Sequence, residues 1–257
     1  MNNWNLENKT ALVTGGSKGI GLAIVNEFLS LGAEVFFVAR TQNDVLKIIN
    51  KNKENGLRRN LHGIIADVST GEGREKVYHI IKTRAKKLDF LVNNAGTNIR
   101  KKSVEYTADE YDKIMNTNLK AAFELTKNLY PYLKKSKGGS VVNIASVSGL
   151  ASTSSGVVYG MTKAAMIQMT RYLAVEWAED KIRVNAIAPW YIKTPLVKEV
   201  MNDKKRWAKI IQWTPMKRAG NPEEIAGLAA FLCMKKASFI TGQCIAADGG
   251  LMSGAFF

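Results

Sequence analysis

The stretch from Thr10 to Leu31 constrains the fold more than any other. A short apolar strand, Thr10 to Thr14, runs directly into Thr14-Gly15-Gly16-Ser17-Lys18-Gly19-Ile20-Gly21, and Ile20, Ala23, Ile24, Phe28 and Leu31 then recur at helical spacing. A strand, a glycine-rich turn and a helix in immediate succession begin a dinucleotide-binding unit. Glycines let the backbone approach a pyrophosphate lying at the positive N-terminus of the helix. The glycines here are spaced Gly-x-x-x-Gly-x-Gly, not the Gly-x-Gly-x-x-Gly of the commoner fingerprint, so the turn by itself also fits a tight structural bend.

After Leu31 the chain alternates between strand and helix. Glu34 to Ala39, Leu61 to Ala66, Phe90 to Val92, Ser140 to Ile144, Arg183 to Ala188 and Cys244 to Ala247 read as further strands. Between them, Asp44 to Gly56, a helix beginning near Gly71, Thr107 to Leu133, Val157 to Glu179 and Glu223 to Met234 read as helices, with Thr107 as N-cap and Glu110 completing a capping box. This alternation implies an α/β fold with a doubly wound parallel sheet of about seven strands and helices on both faces. The 257 residues include only 5 prolines and no Ser/Gly tract that would serve as a linker, so a single domain over residues 1–257 is expected.

Ligands of such a sheet lie beyond the carboxyl ends of its strands. At the end of the second strand, where an acid would bind a ribose 2′-hydroxyl, the chain has Ala39 and Arg40, and Lys18 stands within the glycine turn. These cations predict a 2′-phosphate and hence NADP(H). Asp67 and Val68 end the third strand; Asp67 is a candidate for the adenine amino group and equally for capping the next helix. Asn93-Asn94-Ala95-Gly96 ends the fourth strand with small and amide residues suited to a cofactor contact.

A second constellation comes after the fifth strand. Ser146 leads through a loop rich in small residues to Tyr159 and Lys163, which lie about one turn apart on one helix face. An ammonium near a phenol favours the phenolate and lowers a pKa that is ordinarily about 10. With Ser146 holding the oxygen that exchanges the proton, the three suit carbonyl or alcohol chemistry. A Tyr-x-x-x-Lys pair alone is common on helix surfaces. Asn118, amid apolar neighbours, is either a satisfied core amide or the holder of a water that links Lys163 to solvent.

Composition narrows the remaining classes. The net charge of +15 is spread over short groups, among them Arg58 with Arg59, Arg100 to Lys102 and Lys204 to Arg206, without interleaved aromatic residues. That reads as a solvated surface, with salt-sensitive, non-specific nucleic-acid binding as the rival reading and no specific nucleic-acid site expected. No apolar run approaches the roughly 20 residues needed to span a bilayer, so a cytoplasmic protein without a membrane anchor is expected. Cys233 and Cys244 read as reduced, packed thiols, and His62 and His79 lack ligand-like neighbours, so no metal is expected. The helix from Val157 is apolar on more than one side, which calls for a second subunit, in a homodimer or homotetramer.

In their order and spacing, the glycine turn, Asn93 to Gly96, Asn118, Ser146, and Tyr159 with Lys163 give the chain a resemblance to the short-chain dehydrogenase/reductase family along nearly its whole length. Tyr159-Gly160-Met161-Thr162-Lys163, Glu176-Trp177-Ala178, Pro189 to Leu196 and Asp248-Gly249-Gly250 resemble the tropinone-reductase-like branch. The resemblance implies Tyr159 as proton donor, Ser146 polarising the carbonyl oxygen, Lys163 binding the nicotinamide ribose and lowering the tyrosine pKa, and Asn118 positioning a water relay. It implies cofactor contacts from Gly15, Ser17, Lys18, Gly19, Ile20, Gly21, Arg40, Asp67, Val68, Asn94, Ala95, Gly96, Pro189, Ile192 and Thr194. Ser148, Trp190, Tyr191, Leu196 and Val197 would line the substrate pocket. Trp190 stands where the family often has glycine, which puts a large ring beside the nicotinamide end.

The segment from 189 to about 215 carries many aromatic and aliphatic residues and reads as a lid over an apolar ligand. The expected activity is therefore NADPH-dependent reduction of a small to medium, mostly apolar ketone, or oxidation of the corresponding alcohol. Two alternatives stand beside it: a 3-oxoacyl-carrier-protein reductase, with Arg100 to Lys102 meeting the acidic carrier, and a non-catalytic NADP(H)-binding regulator.

Overall fold

The structure, a computed structural model, describes residues 4–54 and 60–254. Seven parallel strands form one sheet: β1 (Thr10–Thr14), β2 (Glu34–Ala39), β3 (Leu61–Ile65), β4 (Phe90–Asn93), β5 (Ser140–Ile144), β6 (Arg183–Pro189) and β7 (Cys244–Ala247). Their spatial order is β3-β2-β1-β4-β5-β6-β7. The chain winds outward from β1 to β3, then restarts at β4 on the other side of β1. Consecutive connections therefore diverge between β1 and β4 and leave a crevice at their carboxyl ends. The doubly wound α/β sheet expected from the sequence is the one observed.

The strands are apolar on both faces because helices cover both. Alternate residues sort cleanly between two cores. Ala11, Val13, Val35, Phe37, Val92 and Val142 pack with α1 (Gly19–Ser30), α2 (Gln42–Glu54) and α9 (Pro222–Cys233) through Ile24, Phe28, Val45, Ile225 and Ala229. Leu12, Phe36, Val38, Leu91, Val141 and Val184 pack on the opposite face with α3 (Gly71–Arg84) and α5 (Ala121–Lys135) through Val77, Ile81, Leu125 and Leu129. The helix α6 (Val157–Glu176) lies on that second face, burying Met166, Ile167 and Ala174.

A chain of buried hydrogen bonds fixes α5 and α6 on the sheet. Asn93 Nδ2 donates to Thr126 Oγ1 of α5 and to Asn143 Oδ1 of β5, both at 2.8 Å, and Asn143 Nδ2 donates to Thr170 Oγ1 of α6 at 2.9 Å. The threonine hydroxyls pass the chain on to the carbonyls of Ala122 and Met166. Buried polar groups left unpaired cost about 1–3 kcal/mol each, so this chain tolerates one alignment of α6 against β4 and β5. Asn93 thus belongs to the core, while its neighbours Asn94 to Gly96 face the crevice.

Several boundaries differ from the sequence reading, each for a local reason. The second helix begins at Gln42, where Thr41 Oγ1 accepts from Asp44 N, so Thr41 and not Asp44 opens it. Its expected end at Gly56, and Arg58 with Arg59 beyond, lie outside the described residues. The region from Thr107 to Leu133 is not one regular helix: α4 (Ala108–Met115) and α5 are joined by a π turn, Asn116–Lys120, which carries Asn118. The extra residue of such a turn re-aims a side chain that an unbroken α-helix would place elsewhere. The segment after Pro189 forms two short helices, α7 (Lys198–Asn202) and α8 (Lys204–Trp213), packed together through Tyr191, Val197, Val200 and Ile210.

Beyond its buried face, α6 leaves Met161, Tyr172 and Val175 exposed, with Val175 at 80%, and Phe123 of α5 is also exposed. Cys233 and Cys244 are free thiols; burial pushes Cys233 up to about 12 and Cys244 upward as well, so both stay protonated. Among the described residues no helix is long and apolar enough to cross a membrane, and no cluster of His, Cys, Asp and Glu could hold a metal ion.

Candidate active site

Two adjoining hollows open at the carboxyl ends of the strands. The larger, about 320 Å³, is a cleft lined by the glycine turn, Arg40, Asp67, Val68, Asn94 to Thr97 and Thr194. Its floor depends on close backbone approach. Gly15 and Gly19 adopt φ of +63° and +53°, and a Cβ on Gly21 would stand 2.2 Å from the Gly15 carbonyl oxygen. No larger residue fits there. Asn94 holds this floor from the β4 side, its Nδ2 donating to the carbonyls of Thr14 and Gly15 at 2.9 and 3.1 Å. The Thr14 hydroxyl accepts from the backbone N–H of both Asn94 and Ala95. The amide of Asn94 is therefore spent on the glycine turn, and any contact it makes with a ligand runs through other atoms.

The cation arrangement is more particular than the sequence suggested. Arg40 lines the cleft with no ion pair or hydrogen bond to its side chain among the described residues. Lys18 also lines it but pairs with Asp44 at 3.1 Å, and this ammonium holds the Asp44 carboxyl below its ordinary value. A carboxylate thus stands against one of the two cations of the cleft and is paired with it. Asp67 Oδ1 accepts from the backbone N and hydroxyl of Ser69, and Thr70 is the N-cap of α3, accepting from Gly73 N. The capping role considered for Asp67 belongs to Thr70, because only Thr70 stands three residues before the donor. Asp67 itself remains on the cleft wall.

The second hollow, about 120 Å³, is lined by Ser146, Ser148, Tyr159, Lys163, Asn98, Arg100 and Ser155 on one side and by Pro189 to Ile192, Thr194, Leu196 and Val197 on the other. Ile20, Asn94, Gly96, Thr194 and Leu196 border both hollows. The sequence-expected residues therefore converge, and a single extended ligand can run from the glycine turn to Tyr159.

Within this hollow Ser146 follows β5 and accepts from Ser148 N at 3.1 Å, and its hydroxyl lies against the Tyr159 phenol of α6. Ser148 bonds Thr153 across the loop. Lys163 is buried, with Nζ donating to the Ile144 carbonyl at 2.7 Å and standing 5.7 Å from the centre of the Tyr159 ring. Its burial brings the ammonium down to about 8. The expected depression of the tyrosine by this lysine is not what the structure gives: burial pushes the Tyr159 phenol up, and the counteracting influences are the Ser146 hydroxyl and the positive charge of Arg100. The physical reason is that burial of the phenol outweighs the groups that favour its charged form, and the Lys163 ammonium is turned to the Ile144 carbonyl.

Asn118 braces the two walls. Its Oδ1 accepts from Thr97 N at 2.8 Å, and its Nδ2 donates to Thr97 O and to Thr162 Oγ1 at 3.0 and 3.2 Å. Of the two roles the sequence left open, its side chain fills that of a satisfied core amide that ties the Asn94 to Thr97 loop to α6. Trp190 donates through Nε1 to Thr214 Oγ1 and stacks edge-on against Tyr191, which in turn meets Trp207. The segment after Pro189 is also tied to the loop before α6, Arg206 donating to the Ser154 carbonyl and hydroxyl.

Residues that the sequence reading did not assign to the site are Thr14, Asn98, Ser155, Thr162 and the Asn143–Thr170 pair. Thr162 sits three residues after Tyr159 and its hydroxyl donates to the Tyr159 carbonyl, a local pattern that residue type alone does not signal.

The fold and this site define an oxidoreductase acting on alcohol and carbonyl groups. A family model described as enoyl-(acyl carrier protein) reductase matches residues 15–252, and the chain belongs to the short-chain dehydrogenase/reductase family. It is 47% identical to a tropinone reductase homolog of Arabidopsis thaliana over 98% of this chain and 96% of that one. Among solved structures it resembles L-sorbose reductase from Gluconobacter frateurii complexed with NADPH and L-sorbose, at a TM-score of 0.91 and 30% identity over 98% and 100% of the two chains. It also resembles a gluconate 5-dehydrogenase from Burkholderia cenocepacia in complex with NADP and tartrate, at a TM-score of 0.93 and 26% identity over 98% of both chains.

The state of Lys163 yields a test. Its folded pKa is below that of an unfolded lysine, so between about 8 and 10 the unfolded chain binds the extra proton and stability rises with pH. In ligand-free protein, Lys163→Met is expected to raise thermal stability at pH 7, by an amount on the order of 2 kcal/mol that shrinks as pH rises to 10. A stability gap that stays constant across this window would contradict a charged, desolvated lysine.

Proposed function

We propose that the protein is an NADPH-dependent ketone reductase, working as an alcohol dehydrogenase in reverse. The observation that carries this reading is the continuity of the two hollows, with a glycine cradle and unpaired Arg40 at one end and Ser146 with Tyr159 at the other. The cradle fits a dinucleotide because its close backbone approach leaves N–H groups of the α1 N-terminus open to a pyrophosphate. Arg40 would meet the 2′-phosphate, while Lys18, neutralised by Asp44, would contribute less than its charge suggests. Asp67 and Val68 would flank the adenine, Lys163 the nicotinamide ribose, and Thr194, which packs on Gly19, the nicotinamide.

When bound, NADPH supplies the hydride. Tyr159 donates a proton to the carbonyl oxygen, and a phenol held above its ordinary pKa by burial is in the protonated form needed for this direction. Ser146 polarises the same oxygen. The fixed position of both rests on the Asn118 brace and on the hydrogen-bonded chain under α6. Trp190 and Tyr191, with Trp207 packed behind Tyr191, would form one apolar wall of the substrate cavity. The carrier-protein alternative rests on Arg100 to Lys102 acting as one basic patch; the pairing of Lys101 with Glu110 at 2.6 Å and the place of Arg100 on the cavity wall favour the ketone reading over it.

We further propose a homodimer or homotetramer, with the exposed faces of α5 and α6 covered by a second copy; Tyr172, Val175 and Phe123 are the supporting residues.

Three outcomes are expected. Tyr159→Phe should lower kcat for ketone reduction by about 10³-fold or more while NADPH affinity, read by fluorescence titration, stays within about twofold. Retained turnover would remove the phenol from the mechanism. Arg40→Ala should weaken NADPH binding by roughly tenfold and leave NADH little changed; a parallel loss for both cofactors would mean that Arg40 does not read the 2′-phosphate. Sedimentation at micromolar concentration should give a dimer or tetramer that Val175→Asp weakens, whereas a monomeric parent protein would refute the assembly.

A further inference from the structure

Among the described residues, Arg100 is the one arginine in the cavity that holds Ser146 and Tyr159, and its guanidinium has no partner there. It lines that cavity and not the cleft of the glycine turn and Arg40, so it lies away from the cofactor phosphates. No hydrogen bond or ion pair to its side chain is present among the described residues, and its Nε is buried without an acceptor. Beside it, Asn98 Oδ1 is a buried acceptor without a donor, on the wall of the same cavity. Both residues line this cavity, and a buried polar atom left unpaired costs on the order of 1–3 kcal/mol. No described Asp or Glu lines the cavity, whose other cation is Lys163.

The loop that presents Arg100 is anchored on both sides. Asn98 Nδ2 donates to the Ser155 carbonyl at 3.0 Å, and the Tyr106 hydroxyl donates to the Ile99 carbonyl at 2.6 Å. Gly156, at φ +96°, gives Tyr106 its room: a Cβ there would come within 2.3 Å of the phenol oxygen. Next to it, Lys101 is held outward by Glu110. The backbone that carries Arg100 is therefore held beside the cavity, and the charge of its guanidinium is felt at Tyr159, the group that meets the reacting oxygen. A planar fork of donors carried on an anchored loop matches a carboxylate, and the anchored loop spares part of the ordering cost on binding.

We propose that Arg100 is the specificity-determining residue of the substrate cavity and that the substrate is an oxo acid, a ketone carrying a carboxylate, whose anionic end is bound by Arg100 while its carbonyl lies at Ser146 and Tyr159. This rests on the reductase reading and sharpens it. The aromatic wall contacts the carbon skeleton, and the opposite end of the cavity selects charge. A ketone bearing an ammonium group would instead meet an unpaired guanidinium with no carboxylate to offset it.

The test uses matched probes: levulinate, acetoacetate and oxocyclohexanecarboxylate, the methyl ester of each, and amino ketones of the same skeletons. Each is titrated calorimetrically into the protein with and without NADP⁺, and kcat/KM is measured with NADPH. The best carboxylate is expected to bind at least about tenfold more tightly than its ester, with the amino ketones weakest. Arg100→Met should bring acid and ester to equal affinity, Arg100→Lys should restore part of the preference, and NADP⁺ affinity should be unchanged in both. Esters or amino ketones binding as well as the acids would overturn the inference. So would no binding of any acid, or an Arg100→Met variant that weakens acid and ester alike. Selective binding of acids without turnover would uphold the role of Arg100 and defeat the reductase reading, so the two fail separately.

Discussion

The contact on which the molecule depends is the meeting of β1 and β4 at the glycine turn. Gly21 lies so close to the Gly15 carbonyl that no Cβ can stand between them, and Asn94 crosses from β4 to bond two carbonyls of the turn. One approach thereby does two things. It starts α1 with its N-terminus facing the crevice, and it ties the two strands between which the winding reverses. The crevice is a consequence of topology, but its shape and its readiness for an anion are consequences of this backbone packing.

The chemistry at the other end of the crevice depends on a different kind of fixing. Tyr159 and Lys163 are carried by α6, and α6 is registered on the sheet by Asn143 and Thr170 and on the loop after β4 by Thr162 and Asn118. Small-residue loops alone would leave Ser146 and Tyr159 free to drift. Buried amides that accept only one arrangement hold them instead, since a shift of α6 would strand several polar groups at once. The cost of burying Lys163 as a cation is then carried by a scaffold that cannot relax around it.

Much of the fold was legible in the sequence because it is written in period and punctuation. Within each strand, residues of the first core alternate with those of the second; the glycine turn, Arg40 and Ser146 follow strand ends, and Tyr159 and Lys163 share one face of the helix that follows β5. What the sequence did not disclose depends on pairings between distant residues. Asn93 reads like its neighbours Asn94 to Gly96 but turns into the core; Lys18 reads as a free cation but pairs with Asp44; Asn118 reads as a core amide or a water holder, and the π turn that carries it is not visible in the sequence. The tyrosine pKa shows the same limit: spacing put an ammonium near a phenol, but the direction of that ammonium and the burial of both groups decide the sign. Arg100 is the clearest case, one member of a basic run in sequence and the charged end of a cavity in three dimensions.

The central claim is that one bound dinucleotide links these two ends, and a crystal structure of the protein grown with NADP⁺ tests it most directly. The account predicts the 2′-phosphate against Arg40, the pyrophosphate over Gly15 to Gly21 and the nicotinamide beside Thr194, within reach of Ser146 and Tyr159. A dinucleotide bound elsewhere, or one whose nicotinamide lies outside the cavity of Tyr159, would contradict it.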